Sequence, residues 1–426
     1  MENKQRDNIV EERQKTSAVA LVHDFLLYYG GAEQVLKELK GIYKEAPIYT
    51  LMKDEENEEL VKDFGIIGKN NFEGLFKKYS PQIFRSRTSP SFHSGRGTAS
   101  KICSPLKTRR VHTSFLQKFP KFLRKHHRWL VPFMPTAVET FDLRDYDVVI
   151  SSSSAFAKGL VVKSKVKHIS YIHAPMRYVW DWNKEYLEEK KLKGKVKFFT
   201  RLLLNYLRMW DRLSAERPDY LIANSKYTAE RIKKYYRREA EVIYPPVEVD
   251  KFIPTKENDG YFLTVGRLVP YKKVDLLVQV FQKMKLPLVI VGDGPEKKRL
   301  EKMIKGDKRI KITGWVSEEK KIKLFQRAKA FVVATEDDFN ITAVEAMAAG
   351  KPVIALGKGG TKETVVEGIT GEFFKTATME MIADAIGRFR ENEKQYNYLE
   401  IRKRAEKFSS DIFREKIKNF VNKVLE

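Results

Sequence analysis

The chain alternates between short apolar runs of strand length and stretches with helical spacing. AVALVHDF (18–25) reads as a buried strand, and GGAEQVLKEL (30–39) behind it turns into a helix. Strand-like runs return at DVVISSS (147–153), KHISYIHA (167–174), DYLIANS (219–225) and EVIYPPV (241–247). Between them KVKFFTRLLLNYLRMWDRLS (195–214) has helical spacing and an apolar face. After PTKENDG (254–260), a polar linker candidate, the alternation becomes regular. Strands YFLTVGRL, PLVIVGDG, IKITGWV, AFVVAT and KPVIAL are separated by helices near 274–284, 296–304, 318–328, 341–349 and 378–390. This grammar predicts parallel sheets covered by helices on both faces. A length of 426 residues asks for two domains. The expected organisation is a charged tail at 1–16, one doubly wound α/β domain at 17–250, a second at 254–408, and a helix at 409–426 packing back on the first domain.

Charge changes the picture in one place. Lysine and arginine total 81 against 56 acids, a formal net charge of +25. From Gly74 to Val138 there is no acid, while fourteen Lys and Arg and four His stand there. Much of that block is the stretch 68–108, rich in Ser, Pro, Gly and Lys with little periodicity, which reads as a long insertion. Such a block attracts polyanions, and a Lys-rich background is the plainer alternative. KFPKFLRKHHRWLVPFM (118–134) mixes cations with Phe and Trp, which suits a surface lying on anionic lipid. A solvated helix with its aromatics in the core has the same composition. No nucleic-acid motif accompanies the charge, so nucleic acid is not an expected partner.

The single cysteine, Cys103, allows no disulfide within the chain. The first residues lack an apolar leader core, and no run of about 18 apolar residues occurs. The expected location is cytoplasmic, or peripheral on the inner face of the cytoplasmic membrane.

The candidate chemistry follows the strands, where open α/β sheets place ligands. GRLVPYKK (266–273) opens on Gly266 and sets Arg267 and Lys272 five apart across a turn with Pro270. A guanidinium fork and an ammonium point charge on one loop suit a diphosphate, although a solvated basic turn looks the same. GDGP (292–295) ends the next strand, and Gly292 lets backbone approach a ligand, as it would in an ordinary strand–helix turn. TEDDFNITAVEAMAAGKPVIA (335–355) clusters Glu336, Asp337 and Asp338 ahead of a helix that carries Glu345. The N-terminus of that helix offers free N–H groups to phosphate, and a carboxylate one or two turns in can accept from ribose hydroxyls. Acids that merely cap a helix, with Glu345 exposed, are the alternative.

As an ordered set, GRLVPYKK, GDGP, TGWVS, DDFNITAVEAMAAGKPVIA and GGTKETVVEGITGEFF resemble the nucleotide-binding domain of glycosyltransferase family 4. HDFLLYYGGAEQVL, SSSSAFAKG, YIHAPMRYVWD and IANSKYTAERI match the family's N-terminal half. HAPMRYVWD and GRLVPYKK look most like the mannosyltransferase branch that uses GDP-mannose. The resemblance covers nearly the whole chain outside the tail and 68–108. It implies a GT-B fold, two Rossmann-like doubly wound domains facing each other across a cleft, the first for the acceptor and the second for the nucleotide sugar.

The resemblance also implies roles. Gly30 and Gly31 match the glycine pair whose loop approaches the donor phosphate and acceptor, and His173 the histidine beside the transferred sugar. Arg267 and Lys272 match the pair that neutralises the leaving diphosphate. Val316 matches a position whose backbone contacts the nucleobase, and Glu345 the second acid of the E-x7-E pattern, which holds the ribose. Gly266, Gly292, Asn340, Ile341 and Thr342 complete the expected donor-binding set. Two positions depart from the pattern. Asp337 stands where the family has a sugar-facing glutamate, one methylene longer. Asn340 stands where the family usually has glycine, and asparagine tolerates positive φ.

The implied activity is retaining transfer of a sugar, mannose from GDP-mannose, to a glycan or lipid-linked acceptor. No cofactor beyond the donor substrate and no metal is expected, since no DxD motif stands in a suitable strand–loop context. The same chemistry with UDP-glucose, UDP-galactose or another donor is the alternative. From a different class, Asp337 and Asn340 favour a degenerate GT-B protein that binds a nucleotide sugar or polyanion without turnover.

Overall fold

The computed structural model describes residues 18–66, 111–181 and 194–426. The expected charged tail and the basic insertion at 68–108, with Cys103, lie outside the described residues. The chain forms two compact units, 1–169 with 217–219 and 170–216 with 220–426. The expected linker 254–260 lies within the second unit.

Two doubly wound sheets are present, as the apolar pattern predicts. The first contains β1 (Val19–Leu26), β2 (Ile48–Lys53), β3 (Val111–Thr113), β4 (Val148–Ser153), β5 (Lys167–Ile172), β6 (Tyr220–Ala223) and β7 (Glu241–Val242), in the order β3-β2-β1-β4-β5-β6-β7. The second contains β8 (Phe262–Val265), β9 (Leu288–Val291), β10 (Ile310–Gly314), β11 (Ala330–Val333), β12 (Val353–Leu356) and β13 (Gly371–Phe374), in the order β10-β9-β8-β11-β12-β13. The pairs β1–β2, β1–β4, β8–β9, β8–β11 and β11–β12 are all parallel. Each order reverses beside the sheet's first strand, between β1 and β4 and between β8 and β11. Such switch points open a crevice at the carboxyl ends of the strands. EVIYPPV yields only two residues of strand because Pro245 and Pro246 have no N–H to give to a ladder.

In the first unit, α1 (Gly31–Ile42) follows β1, and α2 (Glu58–Phe64), α3 (Lys121–Lys125) and α4 (Met134–Glu139) are short. Strand β4 buries three serines, an unusual load that is fully partnered. Ser151 Oγ lies 2.8 Å from His168 Nε2, Ser152 Oγ 3.1 Å from His23 Nδ1, and Ser153 Oγ accepts from the Lys158 N–H at 3.2 Å. Asp24 is buried and accepts four backbone N–H groups, from Ser154 to Ala157, at 2.6–2.8 Å. Those four bonds replace the carboxylate's water and fix the turn after β4.

The second unit holds α5 (Gly194–Ser214), α6 (Lys226–Tyr236), α7 (Val274–Met284), α8 (Lys297–Met303), α9 (Glu318–Arg327), α10 (Ile341–Ala348), α11 (Thr361–Thr364), α12 (Met379–Glu391), α13 (Tyr398–Glu406) and α14 (Ser410–Leu425). Successive residues of β8 feed opposite faces of the second sheet. Phe262 packs with Leu277, Phe281 and Phe389, while Leu263 packs with Phe325, Phe331 and Met347. Both faces are covered, which is why its strands read as continuous apolar runs. The small residues Ala343, Ala346 and Ala348 bring α10 close to that core. In the C-terminal helix, Phe413 meets Tyr171 at 5.9 Å and Phe420 meets Tyr220 at 6.1 Å between ring centroids.

Candidate functional site

Three loops of the second unit meet at the carboxyl ends of β8, β9 and β11. Their closeness depends on glycine. A Cβ on Gly292 would lie 1.9 Å from the Gly266 carbonyl oxygen, so the GDGP turn and the GRLVPYKK loop can touch only without side chains there. Backbone bonds then tie them: Gly266 N–H donates to Val291 at 3.0 Å and Leu268 N–H to Asp293 at 2.9 Å. Below these loops is a 20 Å³ cavity lined by Gly266, Arg267, Lys272, Asn340 and Thr342 among others.

Lys272 ends a 3-10 turn, Pro270–Lys272, and Lys273 beyond it is left-handed at φ 51°. The Lys272 ammonium donates to both carboxylate oxygens of Asp337, each at 2.8 Å. Asp337 also accepts from Asn340 Nδ2 at 2.9 Å. Arg267, on the same loop as Lys272, is exposed. The two cations are therefore on one loop, and one of them already holds a carboxylate.

Asn340 sits at φ 70°, ψ 73° and is the N-cap of α10. Its Oδ1 accepts from Ala343 N–H at 3.0 Å and from Thr342 Oγ1 at 2.8 Å. The asparagine thus supplies both the left-handed geometry of the usual glycine and a capping oxygen that glycine lacks. Ile341 and Thr342 open the helix, where N–H groups have no acceptor one turn back.

Glu345 lies inside the first two turns and is only 4% exposed, so it is not a solvated surface acid. Its Oε1 accepts from Lys321 Nζ of α9 at 2.9 Å. Its Oε2 is buried and has no hydrogen-bond partner among the described residues. Burial works against the Lys321 charge, and the Glu345 carboxylate outweighs it and holds the lysine pKa above its ordinary value. Val316, in TGWVS before α9, packs against the core that includes Ala343 and Val344.

Several partners of the acid loop were not singled out by sequence reasoning. Arg177 Nε donates to Asp338 at 3.0 Å, and Arg231 of α6 pairs with Asp338 and with Asp181. Burial opposes the Arg177 charge, and Asp338 with Asp337 outweighs that cost and raises its pKa. Tyr227 donates to Glu336 at 2.6 Å. Glu363 accepts the N–H groups of Lys226 and Tyr227 at the start of α6, at 2.8 and 2.9 Å. Gly359 and Gly360 lie under the same loop, since a Cβ on Gly360 would be 2.2 Å from the Asp338 carbonyl oxygen. The motifs HAPMRYVWD, IANSKYTAERI and GGTKETV carried these residues in the sequence, without indicating which of them pair.

His173 follows β5 in the second unit, with its ring 5.2 Å from Tyr171 and its carbonyl accepting from Asn224 Nδ2 at 2.9 Å. Gly30 and Gly31 are in the first unit, as the N-cap and first residue of α1. Near them, buried His23 lies 3.3 Å from Glu33 Oε1 through Nε2. Among the described residues no group of three or more His, Cys, Asp or Glu is arranged to hold a metal ion.

The family model described as Glycosyltransferase Family 4 matches residues 87–251, and that described as Glycosyl transferases group 1 matches 247–407. An uncharacterized glycosyltransferase of Methanocaldococcus jannaschii is 31% identical over 168 residues, 38% of this chain and 47% of its own length. The O-antigen chain mannosyltransferase C of Escherichia coli is 24% identical over 235 residues, 52% of this chain and 61% of its own. The chain thus spans about half of the length of curated relatives it matches. Among solved structures, an Anabaena protein in complex with UDP-glucose has a TM-score of 0.62 at 16% identity, covering 95% of this chain and 99% of its own. That likeness is one of fold. Residues 87–251 and 247–407 of this chain thus match a family 4 and a group 1 glycosyltransferase model in series, on the GT-B fold seen in the solved structures.

Proposed function

We propose that the protein is a retaining glycosyltransferase that moves mannose from GDP-mannose to a glycan or lipid-linked acceptor. The observation that carries this reading is Glu345, a buried carboxylate with one oxygen fixed by Lys321 and the other without a partner among the described residues. Leaving a buried acceptor unsatisfied is costly, and ribose hydroxyls are donors of the right kind to satisfy it. One helical turn away, the start of α10 and the Arg267–Lys272 loop offer N–H groups and cations for a diphosphate.

In this reading Lys272 exchanges partners when the donor binds. Its ammonium leaves Asp337 for a phosphate oxygen, and Asp337 becomes free to accept from the sugar hydroxyls. Arg267, Lys272 and the helix N-terminus then stabilise the charge that builds on the diphosphate as the sugar–phosphate bond breaks. His173 stands beside the oxocarbenium-like sugar. The acceptor hydroxyl attacks from the side of the leaving group, so configuration is retained, and the leaving phosphate takes its proton. No divalent ion is required by this route. Gly30 and Gly31 belong to the acceptor half, 17–250, and the donor half is 254–408. The mannose assignment draws support from HAPMRYVWD and from the likeness to the E. coli mannosyltransferase. Exposed Phe122, Trp129 and Phe133, at 60%, 70% and 52%, stand among the cations of 118–134 and support peripheral attachment to the inner face of the cytoplasmic membrane.

A panel of nucleotide sugars tests the reading. GDP-mannose is expected to raise the melting temperature most and to be consumed when acceptor is present. A larger rise with a UDP-sugar would move the donor assignment, and no rise with any of them would end the proposal. Stabilisation without turnover in the presence of acceptor would favour a non-catalytic binder.

A further inference from the structure

Helix α5 is apolar around more of its circumference than the fold covers. Leu204, Leu207 and Trp210 are buried, together with Asp211 and Ser214. On a different face Phe198, Phe199, Leu202, Tyr206, Met209 and Leu213 are all exposed, from 46% at Tyr206 to 65% at Phe199. At roughly 100° per residue these six share an arc about 100° wide that runs most of the helix length. Arg201, Arg208 and Arg212 fall on the next arc, along one edge of the strip. Scattered surface apolars are ordinary, whereas a continuous strip of large ones marks an interaction surface.

The charge says what covers it. Gly194 to Trp210 contains Lys195, Lys197, Arg201 and Arg208 and no acid. A second copy laid on this strip would bring cationic edges together, which costs free energy. An anionic leaflet complements the edge and accepts the apolar strip. The helix has 21 residues, yet no helix among the described residues is long and apolar enough to cross a membrane. An apolar arc bordered by Lys and Arg instead has the character of a helix lying in the interface plane.

We propose that α5 docks the protein on an anionic lipid leaflet, with its Phe, Leu, Tyr and Met side chains at the acyl boundary and Lys197 and Arg201 among the headgroups. This surface is separate in the chain from 118–134, and it stands whether or not the sugar chemistry above is right.

The test uses the full chain with phosphatidylglycerol vesicles and, separately, phosphatidylcholine vesicles, with binding read by co-sedimentation. Wild type is expected to prefer phosphatidylglycerol and to release as salt is added. Replacing Phe199→Ser and Leu202→Ser together should weaken that binding about tenfold or more with no fall in melting temperature, because both side chains are exposed. A Phe199→Trp protein should show a blue shift in emission on phosphatidylglycerol. Full binding by the double variant together with no blue shift overturns the proposal. So does loss of binding only when Trp129→Ser changes the other segment. A wild-type dimer that the double variant splits, seen by ultracentrifugation, would assign the strip to a second copy and also overturn it.

Discussion

The Lys272–Asp337 pair is the contact on which the site turns. Lys272 is 24% exposed at its side chain and Asp337 9%, so the pair is partly shielded from water and removing one partner leaves the other charge poorly solvated. The sequence showed both residues but not that they pair with each other, because they stand 65 residues apart. Removing the lysine has two expected consequences. Lys272→Ala should lower kcat/KM for donor by about 100-fold or more, the range for losing one donor to a developing anion. It should also lower the melting temperature, since among the described residues Asp337 then keeps only Asn340 as a side-chain hydrogen-bond partner. An unchanged kcat/KM in steady-state assays would remove Lys272 from the proposed mechanism.

The helix α10 is legible in the sequence as a small-residue helix after an acid loop, and its cap is not. The sequence marked Asn340 as able to take the positive φ of the usual glycine, but not as the residue that caps the helix. The structure gives it a left-handed backbone and a bond from Oδ1 to Ala343 N–H. Asn340→Ala should therefore destabilise the protein by about 1–3 kcal/mol in urea unfolding, from the lost cap and the strained φ together. Asn340→Gly should cost less, because glycine keeps the backbone conformation and loses only the side-chain bonds. Equal costs for the two would mean that the conformation is not held at this residue. The neighbouring helix α9 supplies Lys321, which the alternation of strands and helices placed on an element without indicating its partner. Its meeting with Glu345 depends on how α9 and α10 pack.

At the scale of the whole molecule, one buried lysine ties the fold's stability to pH. Lys351 is 2% exposed and donates to the Thr255 and Glu257 carbonyls at 2.8 and 2.6 Å. Burial first, and the Arg327 charge next, push its pKa from 10.5 down to about 8. The folded value lies below the unfolded one, so the unfolded chain binds more protons between these limits. The lysine's contribution to stability therefore rises as pH rises from about 8 towards 10.5. Wild type should gain stability over Lys351→Met between pH 8 and pH 10 in thermal melts, whatever other groups do in common. A constant difference across that range would mean that Lys351 is not held near neutral in the fold.

By itself the sequence determined that the chain builds two doubly wound sheets and that the candidate motifs follow their strands. Both rest on local periodicity: two residues per repeat in a strand, 3.6 in a helix, and glycine where backbones must touch. Only the tertiary structure decided which charge each acid keeps. Asp338 draws Arg177 from 161 residues away and Arg231 from 107, distances over which no spacing rule operates. It also decided which face of α5 is left bare. A helix apolar on two sides gives the same pattern whichever side the fold covers, and only packing against the rest of the chain makes that choice.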